Sequence, residues 1–277
     1  MNKSLLKPLR PSEVEIFERD GVVCLRGQFD RDWCDRMAEA SLRHVADTRE
    51  HEEKRWSGIG NPPPDRARMY MAETDPDFRD FLFQSPLGEI ARSFMRVQEV
   101  RYCYDQLFVK QAQMSAAPEG PLDLMKMPTP WHQDMPYWPF TGGDILSIWV
   151  PFTSAPRAAA GLEYVSGSHR WGQIYAPIGL ESDRYATPLP ADLMDGTGDY
   201  DFLSWDLEPG DCLIHHPLTV HRSFVNSSPD QRIAVSVRLF GDDAVYDPAA
   251  VKEQWYPDAS GVEPGRPVSP IHFPVVA

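Results

Sequence analysis

The feature that most limits how this chain can fold is a change of pattern near residue 98. Beyond it, "EVRYCYDQLFVKQ", "DILSIWVPF", "GLEYVSG", "FLSWDL", "DCLIHH" and "RIAVSVRLF" are short runs rich in β-branched and aromatic residues. Gly, Pro, Asp and Asn separate them, the residues that turns require. No helical period of comparable strength lies between the runs. That argues against a parallel α/β sheet, whose crossovers need a helix-length connection. The 27 prolines point the same way, because proline disrupts helix interiors.

Before that boundary the signals are helical. "PSEVEIFERDG" offers Ser12 as an N-cap with Glu15 three residues on, and Gly21 as a stop. Val14, Ile16 and Phe17 give this segment one apolar side. "VVCLRG" reads as a brief strand. "DRDWCDRMAEASLRHVADTREHEEKR" reads as a longer helix with Trp33, Met37 and Leu42 inward. A further helix is expected to open at Ser85-Pro86 and run through "LGEIARSFM", since proline suits a first turn.

The expected architecture is mainly β with an α layer, an antiparallel sandwich or barrel flanked by N-terminal helices. Two long segments look irregular, "QAQMSAAPEGPLDLMKMPTP" and "YAPIGLESDRYATPLPADLMDGTGDYD", and loops of that length are often lids. The final "YPDASGVEPGRPVSPIHFPVVA" reads as a proline-rich tail draped over the body. No repeat or linker divides the chain, so one domain is expected: a helical layer over 1–97, a β core over 98–245 and the tail over 246–277.

Composition narrows the function. With 42% hydrophobic and 25% charged residues a sizeable core is available. Lys plus Arg number 27 against 41 Asp plus Glu, a formal net charge of −14. Such a surface repels phosphate backbones and argues against a nucleic-acid partner. It is otherwise solubilising and permits a cationic substrate. Cys24, Cys34, Cys103 and Cys212 are scattered without a CxxC pair, so neither a zinc knuckle nor a disulfide framework is indicated. The first residues lack a signal peptide's apolar stretch and no later run could span a membrane, so a cytoplasmic location is expected.

The chemistry concentrates in "TPWHQDMPYWPF", residues 129–140. A carboxylate among so many aromatic rings is costly unless something pairs with it. On a strand, His132 and Asp134 would face one side and form a two-toothed metal grip. Downstream, "LEPGDCLIHHPLTVHRSFVN" offers His215, His216 and His221. Two histidines and one carboxylate make the facial triad that leaves three metal positions open. Period-two counting puts His215 and His221 on one face of an unbroken strand, but Pro217 interrupts it, so spacing alone leaves the third ligand open. The plain alternative is three core or surface histidines.

Arg232 opens "RIAVSVRLF" after the polar "NSSPDQ", and a turn there would make its strand an antiparallel neighbour of the His221 strand. An arginine directed into an apolar barrel needs an anion, and a dicarboxylate would supply one through a bidentate pair. A rim arginine paired with Asp230 or Asp211 is the alternative, and Arg238, on the same face by parity, competes for the role.

Taken in order, "LRPSEVEIFERDGVVCLRGQFD", "QLFVK", "TPWHQD", "SIWVPF", "GLEYVSGSHRWG" and "GDCLIHHPLTVHRSFVN…R" resemble the phytanoyl-CoA dioxygenase family of Fe(II)/2-oxoglutarate-dependent oxygenases over most of residues 9 to 240. The resemblance implies a double-stranded β-helix, a jelly-roll or cupin-like barrel. It implies Fe(II) held by His132, Asp134 and His221, with 2-oxoglutarate and O2 as co-substrates. His215 and His216 are then left as packing residues. Arg232 becomes the anchor for the distal carboxylate of 2-oxoglutarate, with Ser223 as its hydroxyl partner. Lys110, Gln106, Thr129 and Trp149 line the same pocket.

The implied reaction hydroxylates, or otherwise oxidises, an unactivated C–H of a small molecule and releases succinate and CO2. A carboxylate at 134 favours hydroxylation, desaturation or ring formation over halogenation. Trp131, Tyr137, Trp138 and Phe140 are the candidate substrate wall. The chain departs from the family in "AAAGLEYVSGSH", with Ala159 and Ala160 where polar residues are common, and His169 reads as a turn-holding residue. Two rival functions remain: a non-catalytic cupin-like ligand-binding barrel, and a zinc- or manganese-dependent hydrolase or isomerase on the same triad.

Overall fold

The computed structural model describes residues 1–56, 69–112, 128–178, 182, 184–247, 263–267 and 273–277, with only the backbone described for 47–56. Helix α1 (Pro11–Asp20) begins before the expected cap. Arg10, not Ser12, is the N-cap residue, because the Glu13 carboxylate accepts from the Arg10 N–H at 2.7 Å. Gly21 ends the helix as expected, in the left-handed region at φ 77. A Cβ there would collide with His169 and Thr219.

After strand β1 (Val22–Leu25), helix α2 (Arg31–Trp56) buries Trp33 and Met37. Leu42 is 46% exposed, which corrects its inward assignment. It falls half a turn out of phase with Trp33 at ~3.6 residues per turn. Short α3 (Met71–Thr74) leads into α4 (Pro76–Gln84), which the sequence reading did not anticipate. Its start is conventional: the Asp75 carboxylate accepts from the Asp77 and Phe78 N–H groups, and Pro76 follows. Helix α5 (Leu87–Met95) matches the expected "LGEIARSFM" segment.

The strand-prone runs form two main antiparallel sheets. They use β2 (Arg101–Lys110), β3 (Thr129–His132), β5 (Ile145–Pro151), β6 (Leu162–Val165), β7 (Phe202–Ser204), β8 (Cys212–His215), β9 (His221–Ser223) and β10 (Arg232–Phe240). One sheet has the order β1-β8-β5-β10-β2 and the other β3-β9-β6-β7. A small pair joins β4 (Phe140–Thr141) to β11 (Val245–Tyr246). The two sheets do not close into one hydrogen-bonded barrel. They face each other as a jelly roll, the double-stranded β-helix the resemblance implied.

The helices cover the outer face of the five-stranded sheet. Trp33, Met37, Phe78, Phe81, Ile90 and Phe94 pack there against Ile148, Val150, Ile214, Val235 and Leu239 in one buried cluster. Each such side chain contributes about 1.5–3 kcal/mol on burial. Alternate residues point the other way: Ala234, Trp149 and Leu213 pack against Leu162 and Tyr164 of the second sheet. That inner face is where the functional side chains lie.

One expected pairing is corrected. The His221 strand, β9, belongs to the four-stranded sheet and the Arg232 strand, β10, to the five-stranded one. The polar segment 224–231 therefore crosses between sheets instead of closing a hairpin.

Of the irregular segments, residues 113–127 lie outside the described residues, and the second segment carries the short helix α6 (Ala191–Asp195). The described end of the tail does lie on the body. Phe273 packs against Phe140 and Phe240, and Ala277 O accepts from Val100 N–H. The four cysteines are free, and no helix among the described residues is long and apolar enough to cross a membrane.

Candidate metal centre

His132 ends β3 and His221 begins β9, and the two are direct partners in the ladder. Their rings lie 4.2 Å apart. Each imidazole is fixed by the same local device. His132 Nδ1 lies 2.9 Å from Pro130 O and His221 Nδ1 lies 2.9 Å from Thr219 O. A carbonyl accepts only, so Nδ1 carries the proton in both rings and Nε2 keeps its lone pair. Burial holds both imidazoles below the ordinary histidine range, hence neutral.

Asp134 does not share an unbroken strand with His132, as the strand argument assumed. The strand ends at His132, and Asp134 adopts helical φ and ψ ahead of a single 3-10 turn, Met135–Tyr137. Backbone N–H groups of Asp134 and Met135 both donate to Pro217 O, which ties the turn to the link between β8 and β9. The turn brings the carboxylate to the histidines: Asp134 Oδ1 stands 3.7 Å from His132 Nε2 and 3.9 Å from His221 Nε2. Among the described residues these three form the group able to hold a metal ion, one donor atom from each lying within 4.8 Å of the others.

Asp134 Oδ2 is held from the opposite sheet. His215 Nε2 lies 3.3 Å away and Ser147 Oγ donates at 3.2 Å. The Tyr164 hydroxyl lies 3.3 Å from His215 Nδ1, so a tyrosine–histidine–carboxylate chain fixes the ring with its Nε2 proton toward Asp134. This corrects the packing-only reading of His215. His216 is a packing residue, its Nδ1 accepting from Leu218 N–H. Burial alone would raise the Asp134 carboxyl. The His215 hydrogen bond and the nearby charges instead hold it well below the usual range. Two neutral imidazoles and one carboxylate are the donor set a divalent cation takes. The present gaps exceed the ~3 Å between adjacent ligands at ~2.1 Å from a metal, so closure needs side-chain shifts below about 1 Å.

A second polar cluster lies beside this one. Arg232 is 1% exposed, its guanidinium 5.3 Å from the Trp149 ring, and its Nε has no hydrogen-bond partner. No described carboxylate pairs with it, because Asp211 is engaged by Arg26. The rim alternative is therefore excluded. Lys110 is its direct ladder partner, and Lys110 Nζ donates to Ser223 Oγ at 2.7 Å and Phe224 O at 2.8 Å. Ser223 Oγ in turn donates to Thr129 Oγ1 at 2.8 Å. Burial first, and the Arg232 charge second, push the Lys110 amine down to about 7. Two buried basic groups side by side without a carboxylate are costly, and an anion between them would offset that cost.

The aromatic residues divide. Tyr137 stands edge-on to His132 at 6.3 Å. Trp138 donates its Nε1–H to Tyr104 Oη at 2.9 Å. Trp131 points to the other side of its strand, stacked on Phe202 and covered by Arg222. Phe140 packs among Phe240, Phe273 and Tyr246. Gln106 does not meet the Arg232 cluster directly; its Oε1 accepts from Arg238.

Three residues went unnoticed in sequence. Gln133 braces the metal loop, donating to Gln173 O and Leu218 O and accepting from Tyr175 N–H. Ser147 and Tyr164 are polar positions in runs already recognised as strands, which was the available signal. His169, by contrast, is the turn-holding residue expected, with Nε2 at 3.2 Å from Glu18 O.

The non-heme alpha-ketoglutarate-dependent carbocyclase SnoK from nogalamycin biosynthesis superposes at TM-score 0.73 with 20% identity, covering 100% of both chains. The epimerase SnoN, in complex with Fe3+, alpha-ketoglutarate and nogalamycin RO, gives 0.70 with 19% identity over 96% of this chain and 98% of its own. EctD from S. alaskensis gives 0.66 with 18% identity over 92% and 85%. In sequence, the model of the phytanoyl-CoA dioxygenase (PhyH) family matches residues 17–234, and the chain belongs to that family. A Caenorhabditis elegans protein named as a probable phytanoyl-CoA dioxygenase is 30% identical over 127 residues, 41% of this chain. The matched stretch spans only 36% of that protein's length.

Proposed function

We propose that the chain is an Fe(II)- and 2-oxoglutarate-dependent oxygenase that oxidises an unactivated C–H of a small molecule and releases succinate and CO2. The observation that carries this reading is the pairing of two sites. Three converging metal donors lie in the same inter-sheet space as a buried Arg232–Lys110 pair without a carboxylate. A hydrolase or isomerase on the same triad has no use for that cation pair, and a passive binding barrel has no use for the triad.

The residues divide the work. His132 and His221 would bind Fe(II) through Nε2 and Asp134 through Oδ1, leaving adjacent positions open. Bound there, Fe(II) supplies the redox chemistry with O2 and 2-oxoglutarate. Arg232 would grip the far carboxylate of 2-oxoglutarate with its planar fork. Lys110, Ser223 and Thr129 add charge and hydroxyl partners, while Trp149 backs the guanidinium. Gln133, Ser147 and His215 keep the metal loop in place. Tyr137 borders the open side of His132 and is the first candidate to touch substrate. A carboxylate at 134 leaves no metal position for halide, which favours hydroxylation, desaturation or ring formation. The structurally similar SnoK, a carbocyclase, and SnoN, an epimerase, support an outcome beyond simple hydroxylation. A single domain in a reducing, cytoplasmic setting fits the four free thiols.

Anaerobic titration of the protein with Fe(II) and 2-oxoglutarate tests this reading. The expected result is a visible metal-to-ligand charge-transfer band, absent in Asp134→Ala, and succinate release once O2 is admitted. A wild-type protein that binds Fe(II) but gives no band with 2-oxoglutarate would rule the reading out.

A further inference from the structure

Register across the five-stranded sheet places Tyr104, Arg238, Ser147 and His215 in one row on its inner face. Ser147 and His215 are the two residues that hold Asp134 Oδ2. Arg238 is therefore one strand, roughly 5 Å, from the hydroxyl that touches the metal carboxylate.

Arg238 is 5% exposed. Its Nη1 donates to Ser236 O at 3.0 Å and its Nη2 to Gln106 Oε1 at 3.1 Å, both neutral acceptors. Its Nε is buried without any partner. The guanidinium carbon lies 4.7 Å from the Tyr104 ring, whose hydroxyl is anchored by Trp138. The fork is thus backed and oriented; the buried carboxylates of Asp105 and Asp134 act on it through space, but neither forms an ion pair with it.

Many of the other described arginines are paired with acids. Arg10, Arg19, Arg26, Arg31, Arg36, Arg96 and Arg222 each pair with an Asp or Glu. Acids outnumber bases by 41 to 27 in this chain, so carboxylates are not scarce. Leaving a buried guanidinium with only neutral hydrogen-bond partners and an unpaired Nε costs stability. Arg238 thus stands beside the proposed reacting centre with a buried donor and no ion-pair partner of its own.

We infer that Arg238, set by Gln106 and Tyr104, is an anion subsite that binds a carboxylate of the organic substrate next to the metal. This rests on the oxygenase reading and names its substrate class: an organic acid, not a neutral hydrocarbon or an amine. The same chemistry could come from the metal-end carboxylate of 2-oxoglutarate, and the test separates the two sources.

Wild type, Arg238→Gln and Arg238→Lys are loaded anaerobically with Fe(II) and titrated with 2-oxoglutarate. Matched probes, monocarboxylic acids each beside its primary amide, are then added, and the shift of the charge-transfer band and of Tm is followed. Expected in wild type is at least one acid bound tenfold more tightly than its amide. Arg238→Gln should reduce that preference to within twofold while 2-oxoglutarate affinity changes less than twofold, and Arg238→Lys should fall between. Acids and amides indistinguishable in wild type would overturn the inference. So would a tenfold loss of 2-oxoglutarate affinity in Arg238→Gln, which would assign the guanidinium to the co-substrate. A wild-type protein without the band sinks the oxygenase reading itself, a distinct failure.

Discussion

The two faces of β10 make the sharpest contrast in the molecule. Ile233, Val235, Val237 and Leu239 join the large cluster under the helices. Arg232, Ala234, Ser236 and Arg238 alternate with them and face the second sheet. All nine positions are buried, so burial does not separate the faces; chemistry does. The outer face is apolar and paired throughout. The inner face holds two guanidiniums with orphaned Nε atoms. One strand thus carries fold stability on one side and an unsatisfied demand for anions on the other.

If the faces are truly separate, substitutions should sort cleanly. Leu239→Ala on the outer face should lower stability by about 2–5 kcal/mol. Metal affinity per folded molecule should stay unchanged, as read by denaturant melts beside Fe(II) titration. On the inner face, Arg232→Gln should leave Fe(II) binding within twofold. It should weaken 2-oxoglutarate by roughly 30-fold or more, the cost of removing one partner of a buried charge pair. Equal damage to stability and co-substrate binding in either variant would break the contrast.

His215→Phe probes the sheet that holds Asp134 from behind. Metal affinity should fall roughly tenfold with little change in Tm, and His215→Gln, which keeps a donor, should restore part of it. The smallest effect concerns pH. The Lys110 amine, lowered from 10.5 to about 7, is charged below that value and neutral above it. 2-Oxoglutarate affinity should therefore weaken as pH rises from 6 to 9, by about 1 kcal/mol or roughly fivefold. Isothermal titration should show the slope in wild type and not in Lys110→Met.

Much of this was legible in the chain. The strand runs, the α5 helix and the Gly21 stop are local signals, set by alternation, propensity and left-handed φ. Arg232 stood out because a cation inside an apolar strand is costly wherever the strand lies. What failed locally also has physical causes. Leu42 was misplaced because nine residues beyond Trp33 is about two and a half turns, which puts it on the opposite side of the helix. Ser12 lost to Arg10 because the Glu13 carboxylate set the register of the cap. Of the aromatic wall, Tyr137 stays beside His132, whereas strand alternation sends Trp131 to the opposite side.

The sequence by itself determined most of the elements, the candidate metal donors by family pattern, and an arginine whose burial would demand an anion. These depend on short-range sterics and on the cost of burying charge. Only the tertiary structure decided that β9 and β10 lie in different sheets, and that His215 and Ser147 reach across to the far oxygen of Asp134. It also decided that Arg238 stands in their row. Those relations join residues distant in sequence through inter-sheet packing, for which the chain carries no periodic signal.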